Sequence, residues 1–212
     1  VGKIFKPQEK EYIIYTIHIK GSFNPSIIDQ VWMKEYNLMG ENESVKLKNF
    51  YFTDTAVQFE TIFFSFQCDT ERLSVYVKTF EASNVVDSFV KGILSLLGHT
   101  KLQEAKVIVH SHLVAHNKNK MKSFFSSFAD ISLKESLKID RIEDYIFWSN
   151  DKKVLIGKCP TDKNHLFLKI TKQQKFEASI GSTDECIDFL DENEEFRNES
   201  IDYIVNVKEM IT

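Results

Sequence analysis

Apolar and polar residues alternate cleanly from Tyr12 to Ile19, with Ile13, Tyr15, Ile17 and Ile19 on one side, which predicts a half-buried strand. Asn24-Pro25 then reads as a helix start. Asn24 is the cap, Pro25 takes the first helical position, and Ile27, Ile28, Val31, Trp32 and Tyr36 form the apolar stripe. Beyond the polar turn at residues 40–43, strands are predicted over Leu47–Phe52, Val57–Gln67 and Leu73–Phe80. A long helix follows, with Val86, Phe89, Val90, Ile93, Leu94 and Leu97 on its buried side and Gly98 as its stop.

The order then begins again. Lys106–Val114 predicts a strand, and Asn117 predicts the cap of a helix with Met121, Phe124, Phe125 and Phe128 at helical spacing. Strands are predicted at Tyr145–Trp148, Val154–Lys158, Leu166–Thr171 and Phe176–Ile180. The acidic stretch Ser182–Phe196 reads as a short helix capped by Ser182 or Thr183, and Ile201, Ile204, Val205 and Lys208 mark a terminal helix. The fold class is therefore α+β. A duplicated β-α-β-β-β-α unit, residues 1–102 and 103–212, is predicted to form one mainly antiparallel curved sheet with helices on one face about a pseudo-twofold axis.

The segment Gly21-Ser22-Phe23-Asn24-Pro25-Ser26-Ile27, followed by Trp32, resembles a sporadically distributed bacterial family with a Gly-x-Phe-Asn-Pro-x-Ile segment and two similar α+β halves. That family carries no established activity, so the resemblance implies structural roles for Phe23, Asn24, Pro25 and Trp32 and no site. The repeated order also resembles the layout of the TATA-binding protein, an analogy of architecture that implies no function.

Composition narrows the function classes. With 212 residues, 42% of them apolar, the chain can bury a core without metal or disulfide staples. A net charge of -4 argues against a general binder of nucleic acid or anionic membranes. No apolar run approaches the roughly 20 residues needed to cross a bilayer, and Val1 to Pro7 does not read as a signal peptide. Cys68, Cys159 and Cys186 are odd in number and far apart, as expected of reduced, buried thiols in a cytoplasmic protein.

Candidate chemistry is sparse. His110-Ser111-His112 places two imidazoles on one strand face, and His116 follows at the strand exit, so these three are the candidate metal ligands. The competing reading is a polar strand face. His18 lies on the corresponding strand of the first half, and paired histidines there resemble the two-histidine phosphoesterases. That pattern requires a hydroxyl residue two positions after each histidine; Lys20, His112 and Val114 stand there instead. No nucleotide-binding glycine loop, nucleophile elbow or zinc-protease motif is present. Lys118, Lys120, Lys122, Lys152, Lys153 and Lys158 concentrate in the second half and offer a nucleic-acid surface, against the reading of solvated strand edges. With no catalytic signature and with 18 phenylalanines, the sequence favours a non-enzymatic assembly subunit of a cytoplasmic complex, with antiviral defence as a suggested setting. Its expected partner is another protein or a second copy, and no cofactor or metal is expected. Nucleic-acid binding and a hydrolase centred on His18, His110 and His112 are the alternatives.

Overall fold

A computed structural model describes residues 12–38, 47–115, 118–129, 144–148, 152–158 and 165–212. The strands are β1 (Tyr12–Gly21), β2 (Lys48–Thr53), β3 (Ala56–Glu60), β4 (Phe64–Asp69), β5 (Arg72–Val77), β6 (Leu102–Val114), β7 (Asp144–Trp148), β8 (Lys152–Lys158) and β9 (His165–Lys175). The helices are α1 (Gln30–Glu35), α2 (Ser83–Leu96), α3 (Lys118–Ala129), α4 (Ser182–Asp191) and α5 (Asn193–Ile211). The α+β class holds, and the strands form an open antiparallel sheet in the order β2-β3-β4-β5-β1-β6-β9-β8-β7.

Two compact units divide the chain. The larger comprises Ile14–Val109 and Thr171–Arg197. Its strands pair in simple register, with Ile17 opposite Val75, Phe66 opposite Val75 and Phe59 opposite Phe66. Because side chains alternate along a strand, this register gathers Ile17, Ile19, Phe59, Phe66, Leu73 and Val75 on one face, all fully buried. Phe89 of α2 packs against the rings of Phe59, Phe64 and Phe66, and α4 packs on α2. Of the phenylalanines that suggested a partner surface, Phe59, Phe64, Phe66 and Phe89 are spent on this core.

The smaller unit gathers Val1–Ile13, His110–Ile170 and Asn198–Thr212, as far as these are described. Its buried residues include Leu113, Ile156, Leu166, Leu168 and Ile170 on strands, and Met121, Phe124, Phe125, Ile204, Val207 and Ile211 on helices. β7 and β8 pair antiparallel, with Ile146 opposite Leu155.

Several local expectations are corrected. Asn24-Pro25 does not start α1. Pro25 opens a 3-10 turn over Pro25–Ile27, and Asn24 accepts a hydrogen bond from the Ser26 hydroxyl (2.7 Å) without capping a helix. The cap of α1 is Asp29, whose carboxylate accepts from the Trp32 amide at 2.7 Å. The stripe shifts with it: Ile28 and Met33 are buried, while Val31 is 74% exposed. Phe23 is buried, and Trp32 packs on Tyr36. The predicted strand Val57–Gln67 is a hairpin. Thr61 breaks it, because its hydroxyl accepts from the Phe63 and Phe64 amides and donates to the Phe64 carbonyl, supplying backbone partners that a ladder would otherwise provide.

Phe176–Ile180 forms a turn in place of a strand, and Ile180 is 77% exposed. Gly181, with φ of 102°, caps α4 instead of Ser182 or Thr183. The Ser182 hydroxyl accepts from the Leu102 amide at 2.8 Å, tying α4 to the start of β6. Asn117 lies outside the described residues. Gly21 is required where β1 meets β6, since a Cβ there would stand 2.7 Å from Leu102 Cδ2 and 2.9 Å from the Lys101 carbonyl.

Candidate nucleic-acid interface

In the larger unit, the alternation that buries Ile17 and Ile19 turns His18 and Lys20 to the other face of β1. Register places Ser74 opposite His18 and Arg72 opposite Lys20 on β5, and Tyr76 follows on the same face. From β6 come Glu104 and Lys106. His18, Lys20, Arg72, Glu104 and Lys106 together line a groove of about 260 Å³. The His18 ring is held from two sides, with Nδ1 3.0 Å from the Ser74 hydroxyl and Tyr76 edge-on at 5.4 Å between centroids. Tyr76 remains 43% exposed.

Electrostatics organise the groove. Glu104 bridges Lys106, at short hydrogen-bonding distance, and Lys20, at 3.7 Å. Burial alone would push its carboxyl up, but Lys106, Lys20 and Lys175 outweigh that and hold it below the ordinary range. Counting His18 as neutral, the groove carries two positive charges in excess. The lysines are thus fixed by one shared carboxylate, and Arg72 extends from the neighbouring strand.

The larger unit also buries a polar network. The Tyr15 hydroxyl donates to Asp87 Oδ1 at 2.8 Å, Asn193 Nδ2 donates to the Tyr15 oxygen at 3.0 Å, and Arg197 pairs with Asp87 and Asn84. Burial pushes the Asp87 carboxyl up, against the pull of Arg197, Tyr15 and Asn193. Burial also raises Tyr15 well above its ordinary range, which makes its hydroxyl a donor and a poor nucleophile. Cys68 and Cys186 are buried free thiols pushed up to about 12 by burial, which leaves them inert; Cys159 is outside the described residues.

The remaining candidates fall in the smaller unit. His110 and His112 alternate on β6 and each has a neighbour on β9. His110 lies beside Phe167, and His112 Nε2 is 3.1 Å from His165 Nδ1. His112 is also stacked on Tyr12. His116 is outside the described residues, and among those described no group of three or more His, Cys, Asp or Glu could hold a metal. Lys120 and Lys122 are exposed on α3, whereas Lys152 on β8 pairs with Glu199 of α5. Lys153 is half-buried on β8; the side chains of Lys118 and Lys158 are outside the description. Among the described residues, no helix is long and apolar enough to cross a membrane.

No protein-family model and no curated protein matches the chain. Among solved structures, the rolling circle replication initiator protein from Geobacillus stearothermophilus is similar over 84% of this chain and 79% of its own, at 12% identity and a TM-score of 0.33. A likeness at that level assigns no activity to this chain. The expectation of a non-enzymatic assembly subunit in antiviral defence is corrected, because the described phenylalanines go chiefly into the protein's own cores. Phe59, Phe64, Phe66 and Phe89, which that expectation counted toward an apolar face, are buried, while Tyr51 and Phe52 remain exposed.

Proposed function

We propose that the chain binds single-stranded nucleic acid across the polar face of the larger unit's sheet. The observation that carries this reading is the convergence of Lys20, Arg72 and Lys106 on one groove beside the His18–Tyr76 ring pair. Phosphates require cations at fixed positions, and unpaired bases require exposed ring faces; a sheet can present both from adjacent strands. The site departs from the lysine set suggested by sequence, because one of those lysines is already engaged by Glu199. A chain of net charge -4 reaches a polyanion only through a local positive site such as this groove.

The test is fluorescence anisotropy with a labelled single strand and a matching duplex over a range of salt. Two or three phosphate contacts give a slope of log K against log salt of about -1.4 to -2.1 for a single strand. Changing Lys20, Arg72 and Lys106 together to Ala abolishes binding, and Tyr76→Ala weakens it with little change in slope. Equal affinity for duplex, or binding indifferent to the triple substitution, refutes the proposal.

The proposed duplication of residues 1–102 and 103–212 is supported by the strand order, in which β1 and β6 are adjacent and β5-β4-β3 on one side answers β9-β8-β7 on the other.

A further inference from the structure

We infer that His112 and His165 of the smaller unit form a chelating pair for a borderline divalent transition metal, a site independent of the nucleic-acid groove. The nitrogens that face each other, His112 Nε2 and His165 Nδ1, are 3.1 Å apart. Two imidazole nitrogens bound to one ion at about 2.0–2.1 Å are separated by this distance when the angle at the metal is roughly 100°. That angle lies between the right angle of a square-planar site and the tetrahedral angle, so the spacing of the two nitrogens already suits one ion.

The rings are already positioned. His112 is 3% exposed and stacked on Tyr12, with centroids 5.3 Å apart and planes 14° from parallel. His165 crosses it at 63° from the neighbouring strand and is half-buried. In the metal-free protein a single proton lies between the two nitrogens. Metal uptake shifts that proton to the far nitrogen of its own ring, so that both ligands stay neutral, and puts the ion in its place, with water completing the coordination shell. Two neutral nitrogen donors suit Cu²⁺ above Ni²⁺, Co²⁺ or Zn²⁺, and they do not suit Mg²⁺ or Ca²⁺. The sequence pointed to His110 as the partner of His112; the register of β6 on β9 supplies His165 instead.

The probe is Cu²⁺ alone, added to untagged full-length protein and followed by electron paramagnetic resonance. The expected result is one Cu²⁺ per chain, with hyperfine structure from two imidazole nitrogens. His165→Phe, at the half-exposed position, loses this signal while its far-UV circular dichroism stays that of the wild type. His112→Phe loses it too, and His110→Phe retains it. Absence of stoichiometric Cu²⁺ in the wild type overturns the inference, as does a two-nitrogen signal that survives His165→Phe.

Discussion

Replacing Arg197 by Met removes the cation from a site where Asp87, Arg197 and Asn193 are 6%, 4% and 0% exposed. Breaking a buried ion pair from one side costs about 3–5 kcal/mol, because the remaining charge is left desolvated without its partner. Two donors stay on Asp87 after the change, the Tyr15 hydroxyl at 2.8 Å and Asn193 Nδ2 at 3.4 Å, so the lower end of that range applies. At 2–4 °C per kcal/mol for a chain of this size, a loss of about 3 kcal/mol lowers Tm by about 6–12 °C in a calorimetric scan at pH 7.

Acid then narrows the deficit. Without the guanidinium, burial raises the folded-state pKa of Asp87 further above its unfolded value, so the folded variant takes up a proton that the unfolded chain does not. Its stability relative to wild type rises as the pH falls from 7 through that raised pKa. The double change Asp87→Leu with Arg197→Met removes both charges, leaves Asn193 donating to the Tyr15 hydroxyl at 3.0 Å, and recovers most of the loss. A single variant that melts within about 2 °C of wild type, or a double variant less stable than the single, would refute the reasoning.

Two further outcomes test other parts of the structure. Asp29→Ala lowers stability by about 0.5–2 kcal/mol in urea denaturation, whereas Asn24→Ala, whose side chain caps nothing, changes it by less than about 0.5 kcal/mol. The reverse ranking would restore Asn24 as the cap. Glu104, with its folded pKa depressed by Lys106 and Lys20, contributes stability that is present above its unfolded pKa of about 4.3 and lost as the pH falls through the folded value. The stability gap between wild type and Glu104→Gln is therefore full at pH 7 and closes below about pH 4, while Glu104→Gln binds the single strand more tightly at pH 7; a gap independent of pH contradicts the ion pairs.

What the sequence disclosed was periodicity. β1, β5 and α2 are legible because each has one buried face, and a period of two or of 3.6 writes that face directly into residue order. Thr61 was hidden inside an apolar run because a side-chain turn leaves no gap in hydrophobicity. Asn24-Pro25 misled for a different reason: the pair is compatible with a 3-10 turn as readily as with a helix start, and Asp29 five residues on held the better geometry. The groove was half legible. Alternation put Lys20 on the face of His18, but pairing with Arg72 and Lys106 depends on register with strands about 50 and 85 residues away, which no local pattern encodes. His165 was missed likewise, since its position beside His112 is a property of β6 against β9.

The larger unit is assembled from two stretches, Ile14–Val109 and Thr171–Arg197, and this imposes an order on biosynthesis. On the ribosome, β1 to β5 and α2 emerge first, and roughly 60 residues must then be added before the second stretch begins. At about 5–20 residues per second that is a wait of about 3–12 s. Throughout it, the side of α2 destined for α4 is bare, and Asp87 has Tyr15 but neither Asn193 nor Arg197. The nascent chain therefore carries a helix covered on one side only and an incompletely neutralised carboxylate for seconds, a long-lived target for chaperones. Closure comes only when residue 197 clears the exit tunnel and joins β1 and α2 in one step.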